Sequence, residues 1–466
     1  MAADAASSSA EPAPDLASWW RALGDPALDG LVTQALAGNL PLAAAGERLR
    51  ASRALLPAAD GPFRPNLRFA TTSGPSPDSR TSYFQAGFDA QWEFGLFGRA
   101  EATTAIAAAE VGLAQADMQS ARASLVAEVV RTHLEFRHAE RRLALLDEDI
   151  ALQRRLVALT DTRIRTRQAA GDELVRARVG LAQAEALRTE PLTTMTRCRQ
   201  QLTVLLGDRH AVLPYATPAG REVAIPVEPS AVPSTPRTAL PTRAAAAPPR
   251  GLSGLRMEQT PADMLRARPE IRRAEQQVLK AAAAAGVARA DLSPRIGLGG
   301  VLSVAAAVIG VHSDRGLHGT LALGPTIDMP LFDWGARQAV LQARHAELDV
   351  ALLAYRQSVL EAVADVQTAM ATLGLQGDRV AALERAREAV GGLESGAATR
   401  VRLGLADAFE TSRVRAGIVQ ADLALADAEL AQQLAFVALY KALGGASMDA
   451  TTATTRAAPP TMASAP

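Results

Sequence analysis

Few side chains of this chain have a spacing that suits catalysis or metal binding. His133 and His138 are the best candidate ligand pair, but they lie five residues apart, whereas two ligands on one helix face lie three or four apart. We therefore expect both histidines to be solvated helix residues. The glycine-rich run at residues 297–300 lies in alternating, strand-like sequence and lacks the lysine of a phosphate-binding loop. Because catalytic and dinucleotide motifs are also missing, the sequence predicts a protein that is not an enzyme and has no cofactor or metal.

Charged side chains in two short polar segments could do a different kind of chemistry. Residues 165–172 and 400–407 each interrupt a long helical pattern, and both carry acids and arginines. Side chains of opposite charge can form ion pairs that break and re-form. The alternative is that they are solvated turn charges, since exposed pairs contribute only about 0–1 kcal/mol. The charged residues of these segments and of the turns that follow are Arg165, Arg167, Asp172, Glu173, Arg400, Arg402, Asp407, Glu410 and Arg413.

The composition favours long, closely packed helices. The chain has 466 residues, of which 48% are hydrophobic and only 4% aromatic, because alanine dominates the apolar residues. The formal net charge is +0 at pH 7 and no basic stripe with interleaved aromatics is present, so no nucleic-acid partner is expected. The single cysteine, Cys198, lies in a helical pattern and is expected to be buried.

The two ends of the chain, residues 1–15 and 446–466, are expected to be a disordered leader and tail. Residues 1–15 lack the basic start and apolar run of a signal peptide. No apolar run reaches the roughly 18 residues expected of a membrane helix. The nearest, residues 296–311, contains four glycines and is more typical of a strand and turn.

An internal duplication is the strongest pattern in the chain. At an offset of 237 residues, Gly98 matches Gly335, and the pair Leu206-Gly207 matches Leu443-Gly444. Both halves have the order short helix, two strands, very long helix, second helix. Because solenoid units run only roughly 20–50 residues, this is a duplicated half-protein. Its halves are residues 16–207 and 263–445, and residues 208–262 form a linker rich in Pro, Ala, Thr and Arg.

Each half contains a pair of strand-like segments, at about residues 65–92 and 294–330. In both pairs, apolar and polar residues alternate with a period of two, which is typical of a strand with one apolar and one polar face. Pro325 cannot donate to a strand ladder, so a regular strand is less expected there. The apolar positions that define one face include Phe84, Phe88, Leu321 and Leu323.

A helix of unusual length follows each strand pair. Residues 99–168 and 337–402 contain no proline, and about 65 helical residues span roughly 100 Å. Apolar residues recur every seven positions, which is coiled-coil spacing. Each long helix turns at a polar tip and returns, so we expect helix hairpins at about 99–206 and 337–444. The heptad positions are Val129, Phe136, Leu143, Ile150 and Val157 in the first half, and Leu352, Val359, Val366, Leu373 and Val380 in the second.

Four two-faced strands are too few to enclose a polar lumen, whereas three copies of the chain would supply twelve. Bilayers admit only helices and closed barrels, because every backbone polar group must be paired. The apolar face would then meet lipid, the polar face would meet water, and the long helices would continue the wall of the tube. The alternative is a water-soluble sheet packed on helices, but the helix lengths favour the trimeric tube.

Four segments resemble a known family. Residues 19–28 read WWRALGDPAL, residues 92–99 read WEFGLFGR, residues 262–275 read ADMLRARPEIRRAE and residues 330–335 read PLFDWG. Together they are similar to the motifs of outer membrane efflux channels of the TolC/OprM type, NodT subgroup. The resemblance covers about residues 16–445.

The resemblance implies a mainly α fold with a β-barrel part. In this family a homotrimer spans the outer membrane of a Gram-negative bacterium with a β-barrel, four strands coming from each protomer. A long α-helical coiled-coil barrel crosses the periplasm. The channel is the exit duct of a tripartite RND-type efflux pump, joined to a periplasmic adaptor and an inner-membrane transporter, and it passes drugs or other toxic solutes.

The resemblance also implies a gate at the periplasmic tips. In the family, charged residues just after the tip glycine constrict the pore. Gly404 matches that glycine, and Asp407 and Glu410 follow it, whereas Arg413 stands where the family often has an aspartate. The gate candidates are Asp172, Glu173, Arg402, Gly404, Asp407 and Glu410. Two alternatives stay open from the sequence, namely an outer membrane channel for type I protein secretion and a cytoplasmic coiled-coil scaffold.

Overall fold

A computed structural model describes residues 18–75, 82–210, 213–215, 268–309, 318–329, 331–405 and 407–445. The predicted leader and tail, and nearly all of the predicted linker, lie outside these residues. The described chain forms two units. The strand unit comprises Ala44–Gln119 and Pro269–Glu361, and the helical unit comprises Met1–Ala43, Ser120–Arg268 and Ala362–Pro466.

Four strands form the sheet of the strand unit. They are β1 (Asn66–Pro75), β2 (Ser82–Glu93), β3 (Arg295–Ile309) and β4 (His318–Asp328), paired antiparallel in the order β1-β2-β3-β4. Contrary to the expectation from Pro325, the β3–β4 pairing runs without interruption through Pro325, which lies opposite Leu298. β4 is an edge strand of the sheet within one chain, and Pro is tolerated on edge strands because it leaves the pairing with the inner neighbour, here β3, intact.

Eight α-helices are described along the chain. The two long helices, α3 and α7, have 67 residues each, and none of the described helices is both long and apolar enough to cross a membrane. The helices are α1 (Pro26–Gly38), α2 (Leu40–Leu55), α3 (Arg99–Arg165), α4 (Gly171–Leu187), α5 (Thr189–Leu206), α6 (Pro269–Ala290), α7 (Ala336–Arg402) and α8 (Ala408–Ala442).

The return helix of the first half differs from the prediction. One helix was expected, but the structure has α4 and α5 separated at Arg188. Pro191 lies in the first turn of α5, where its ring removes an N–H that a continuous helix would need. The second half has no proline there, and α8 is continuous over 35 residues.

The helical unit has an apolar core built by α1, α3, α5, α7 and α8. Phe136 and Val129 of α3 are fully buried, and Cys198 of α5 is buried beside them as expected. Burial raises the pKa of the Cys198 thiol to about 11, so the thiol stays protonated and unreactive at neutral pH. Cross-helix ion pairs at the edge of the core join Arg142 of α3 to Asp427 of α8, at 2.7 Å.

Most of the predicted heptad residues of the helical unit are buried, but Leu143 and Val157 are only half-buried, and those of the strand unit are not buried. Leu352 of α7, which lies in the strand unit, is 38% exposed and departs from the expectation. A heptad position needs a partner helix, and this part of α7 has little apolar contact within one chain. The buried heptad residues are Val129, Phe136, Ile150, Val366, Leu373 and Val380.

The backbone confirms the duplication. Left-handed backbone conformations are rare outside glycine, yet they recur here at pairs of positions 237 residues apart. Phe97 and Trp334 have φ of 59° and 56°, and the glycines that follow them both have φ of 79°. Similarly, Arg167 and Gly404 have φ of 57° and 69° at the two tips.

Candidate functional site: a two-faced sheet and two charged tips

The sheet has one continuous apolar face. In the strand register, Phe69, Phe88, Leu302 and Leu321 lie opposite one another across all four strands. The rings of Phe69 and Phe88 are 5.2 Å apart. Leu321 and Leu323 are more than two-thirds exposed, as are Leu67 and Ile327 on the same face. The side chain of Phe84, the fourth predicted member, lies outside the described residues.

The opposite face is more polar. An open cleft of about 910 Å³ runs along β2, β3 and β4, and its lining combines Asp89, Glu93, Arg295, Thr326, Asp328 and glycines with apolar residues of the same strands. Its charges are placed near opposite charges, since Arg68 lies opposite Asp89 and Arg295 lies opposite Asp328. The Gln85 side chain donates a 2.9 Å hydrogen bond to the Ser303 hydroxyl across the strands. This face can line a water-filled space.

Asp291 ties the strands to the helices of the strand unit. It follows α6, and its carboxylate accepts hydrogen bonds from Arg99 at the start of α3 and from Arg295 at the start of β3. The Arg337 guanidinium of α7 donates to its backbone carbonyl at 2.7 Å. Arg99 also lies 3.2 Å from Glu93 at the end of β2. These bonds hold the ends of two strands and three helices together, and no local sequence pattern indicated them.

The two tips have the same backbone hydrogen bonds. After α3, Gln168 N–H donates to the Arg163 carbonyl at 2.7 Å. After α7, Leu405 N–H donates to the Arg400 carbonyl at 2.8 Å. The residue just before each of these N–H donors, Arg167 or Gly404, has a left-handed backbone conformation. This conformation lets the chain reverse direction at the end of the helix.

The candidate gate residues of the second tip form a small cluster. The Asp407 carboxylate caps α8 by accepting a 3.0 Å hydrogen bond from the Glu410 N–H, and the Glu410 carboxylate pairs with Arg400. Arg402 instead donates to the Thr399 hydroxyl at 3.1 Å. The structure therefore brings Asp407 and Glu410 together with Arg400, while Arg402 stays on its own helix turn.

At the first tip, Asp172 pairs with Arg176 on the next turn of α4, at 2.6 Å. Glu173 lies in the first turn of the same helix, where its charge suits the positive end of the helix dipole.

One contact between the two hairpins was not predicted from the sequence. The Arg163 guanidinium of the first hairpin lies 4.7 Å from the centre of the Phe409 ring of the second. Such a pair is attractive through the ring quadrupole.

The expectation that His133 is solvated was wrong. His133 is only 2% exposed. Its Nδ1 lies 2.6 Å from the Tyr215 hydroxyl, and its Nε2 lies 2.8 Å from the carboxylate of Asp25, which precedes α1. Its spacing of four and three residues from Val129 and Phe136 placed it on the buried face of α3, and this signal was available in the sequence.

His138 is not solvated either. Its side chain is 16% exposed and its Nε2 lies 3.1 Å from Asp427 of α8. Burial lowers the pKa of His138, which the attraction of Asp427 only partly offsets, so the ring is neutral at neutral pH. Within the described residues no group of three acidic, histidine or cysteine side chains could hold a metal ion.

Comparison with known proteins places the chain in a family. The family described as outer membrane efflux protein matches residues 31–208 and 260–445, which are nearly the two predicted halves. The chain belongs to the outer membrane efflux protein family. The two matched blocks include the sheet, both long helices and both tips.

Individual members of the family are similar along most of their length. Nodulation protein T of Rhizobium leguminosarum bv. trifolii is 28% identical over 382 residues, which cover 79% of this chain and 74% of that protein. Outer membrane protein OprJ of Pseudomonas aeruginosa is 28% identical over 450 residues, covering 92% and 86%. The solved outer-membrane channel OprN is 29% identical, with a TM-score of 0.72 over 92% of each chain.

Proposed function

We propose that this chain is the outer membrane exit duct of a tripartite efflux pump, a passive conduit that carries toxic solutes from the periplasm to the exterior. The observation that carries the proposal is the two-faced sheet. An apolar ladder with exposed Phe69, Phe88, Leu302 and Leu321 backs onto a more polar face. A bilayer requires such a sheet to be closed, with the apolar face towards lipid.

The working unit is a homotrimer in this proposal. One chain supplies four strands in a sheet whose order, β1 to β4, leaves two edges. Unpaired edge N–H and C=O groups are too costly in hydrocarbon, so the edges must pair with other copies. Three copies would give twelve strands around a polar lumen, which is enough for a water-filled channel. Phe88, Leu321 and Leu323 would then face lipid, together with Phe84.

The partners follow from the same arrangement. The sheet takes the outer membrane lipid as its surroundings, while the helical unit stands in the periplasm of a Gram-negative cell. The tips would meet a periplasmic adaptor, which links the duct to an inner-membrane transporter. Asp172, Glu173, Arg402, Gly404, Asp407 and Glu410 would form the gate at these tips. Their short, exposed ion pairs can open without loss of the fold, since such pairs contribute only about 0–1 kcal/mol each.

Two measurements on the purified protein test the proposal. Mass determination in detergent is expected to show three chains per particle. Addition of the same sample to a planar lipid bilayer is expected to produce discrete conductance steps. A monodisperse monomer, or a trimer that never conducts, would contradict the duct.

A further inference from the structure

The helices α3 and α8 run antiparallel and join the two hairpins along their length. Leu146 of α3 forms a small apolar cluster with Val419 and Leu423 of α8. At the tip, Arg163 of α3 lies against the Phe409 ring of α8. We define the seam as the contact of α3 with α8 between these two points. Among the described residues, no apolar cluster joins α3 to α8 closer to the tip than that of Leu146.

A carboxyl group is buried in the seam. Asp149 of α3 is only 3% exposed, and its oxygens accept hydrogen bonds from the side chains of Gln153 at 3.4 Å and Gln420 of α8 at 3.2 Å. Both donors are neutral amides, and both bonds exceed the usual length of roughly 2.9 Å. A Cβ built on Gly180 of α4 would lie 3.4 Å from the amide oxygen of Gln153, so α4 meets this site with a residue that has no side chain. Burial of a carboxylate with so little compensation is costly.

None of the charged side chains that the structure describes balances this carboxylate. The acids two residues away on each helix are engaged elsewhere. Asp147 of α3 pairs with Arg188 at 2.6 Å, and Asp422 of α8 pairs with Arg387 of α7 at 3.0 Å. Burial accordingly raises the pKa of the seam carboxyl, and the two amide hydrogen bonds offset only part of the rise.

Between this carboxyl and the tip, small side chains fill the seam. Steps of three and four residues lead from Phe409 through Ser412 and Ala416 to Gln420, so all four lie on the face of α8 towards α3. Ser412 and Thr160 of α3 are buried, but each hydroxyl donates to a carbonyl of its own helix and not across the seam. Small residues without cross-bonds hold two helices together less strongly than large apolar ones. The helices can therefore part in this stretch while the core above it stays packed.

We propose that Asp149 is a proton-dependent latch for the gate: while its carboxyl is protonated, α3 stays packed on α8 and the tip stays closed, whereas loss of the proton to water loosens the seam and favours opening. This proposal rests on the proposed function, because the seam can act only on tips that form a gate. The packed seam binds the proton more tightly than the parted seam, in which water stabilises the carboxylate. Acid therefore favours the closed state, and each unit of difference in pKa between the two states changes their ratio by up to about tenfold.

Single-channel recording in planar bilayers, at about pH 8 and about pH 5 on the side of the tips, tests the latch. Acid also weakens the tip ion pair of Glu410, so the latch is measured as a difference between variants. Asp149→Asn, which resembles the protonated acid, should lower the fraction of time open at least about threefold at about pH 8 and leave it unchanged at about pH 5. The exposed Glu148→Gln on the same turn of α3 is the control and should behave like wild type.

Two results of this comparison would overturn the latch. One is an equal open fraction of wild type and Asp149→Asn at both pH values. The other is an Asp149→Asn effect of the same size at both, which would indicate a merely structural role. A wild-type protein that never conducts would instead contradict the duct.

A second variant should reverse the response to pH. Gln420 is exposed, so a lysine fits in its place and its ammonium group can pair with the ionised Asp149. Gln420→Lys is expected to keep the seam packed at about pH 8 and to open it at about pH 5, where the carboxyl is protonated and the pair is lost. A Gln420→Lys protein that still closes in acid would contradict the proposal.

Thiol labelling measures the seam without conduction. Cys198 is the single cysteine, so Ser412→Cys in a Cys198→Ala background reports on the seam, and Gly417→Cys, at an exposed position of α8, is the matched control. We expect the ratio of the two labelling rates with a water-soluble maleimide to be at least about threefold higher at about pH 8 than at about pH 6. Adding Asp149→Asn should remove this dependence. A ratio that does not change with pH, or that changes equally with Asp149→Asn, would refute the latch whether or not the protein conducts.

Discussion

At the scale of single residues, a contact between two glycines closes the core of the helical unit. The end of α1 meets the end of α5 so closely that a Cβ on Gly207 would collide with the Gly38 carbonyl oxygen. The next residue, Asn39, bridges the same ends by donating to the Leu205 carbonyl at 2.9 Å while its own oxygen caps α2 through the Leu42 N–H. Gly38 therefore allows the close approach of α1 and α5, and Asn39 bonds the two helix ends together.

A matched pair of alanine substitutions measures this contact. Gly207 and Gly404 both end helices with similar positive φ, but nothing lies within 4 Å of a Cβ built on Gly404. Gly404→Ala is expected to lower the free energy of unfolding by about 1–2 kcal/mol, the cost of a left-handed alanine. Gly207→Ala should cost about 1–3 kcal/mol more, because the backbone must shift as well. Equal losses in urea unfolding would show that the close approach is not stabilising.

Two carboxylates of the helical unit, half-buried Asp25 and buried Asp149, respond to pH in opposite directions. Burial raises the pKa of Asp25, but His133, the Ala27 N–H and Arg137 together outweigh burial and leave the pKa below the usual 3.8. For Asp149, burial raises the pKa above 3.8, and the hydrogen bonds from Gln153 and Gln420 offset only part of the rise. Asp25 therefore stabilises the fold as an anion, whereas the ionised Asp149 destabilises it.

The opposite directions of the two pKa shifts predict opposite effects of asparagine substitutions at Asp25 and Asp149. Asp25→Asn should lower the free energy of unfolding at about pH 7, and the loss should shrink as the pH falls through the depressed pKa of Asp25. Asp149→Asn should raise the free energy of unfolding at about pH 7, and the gain should shrink as acid protonates the wild-type carboxyl. Urea unfolding from about pH 7 down to about pH 3 checks both variants. A difference that does not change with pH in either variant would contradict the corresponding pKa shift.

At the scale of elements, the two faces of β4 allow a direct test of whether the apolar face of the sheet meets lipid. Thr320 and Leu321 are neighbours in β4, both exposed in one chain, but they lie on opposite faces. Leu321→Lys should destabilise the inserted barrel by roughly 2–4 kcal/mol if it lies near the bilayer midplane, whereas a polar-face Thr320→Lys should cost little. The yield of assembled trimer in the outer membrane fraction measures the difference. Equal yields of the two variants would mean that the apolar face does not meet lipid.

Most elements could be predicted from periodicity. The pattern with period two predicted both strand pairs within a few residues of β1 to β4, and glycines marked the ends of α5, α7 and α8, whereas Arg167 takes that position after α3. The break at Arg188 was missed, although Pro191 is a recognised helix breaker. Pro325 was given too much weight as a sign of an irregular strand. The effect of a proline depends on whether its strand is at an edge, and the sequence of one strand does not show the order of strands in the sheet.

At the scale of the whole molecule, the proposed gate at the charged tips controls conduction through the duct. Because Asp407 caps α8 and asparagine also caps well, the variant Arg402→Gln/Asp407→Asn/Glu410→Gln removes charge and keeps the helix start. It is expected to raise single-channel conductance in planar bilayers with an unchanged yield of trimer. The exposed pair Arg154–Glu185, neutralised in the same way, serves as the control and should leave conductance unchanged. If the tip variant conducts like wild type, the constriction lies elsewhere.

The sequence by itself determined the duplication, the two-faced strands, the long helices and the family. These features are local or repeat at a constant offset, so backbone geometry and side-chain period express them directly in the order of residues.

Only the tertiary structure decided which side chains meet. His133 binds partners 108 and 82 residues away, Arg163 reaches Phe409 across two hairpins, and the ladder from Phe69 to Leu321 exists only in the register of four strands. Contacts of this kind depend on how distant helices and strands pack, and the period of any one element carries no information about its neighbour. The burial of His133 is a different case, because its spacing from Val129 and Phe136 on α3 was available in the sequence but was weighed as a ligand pattern and not as a position in the core.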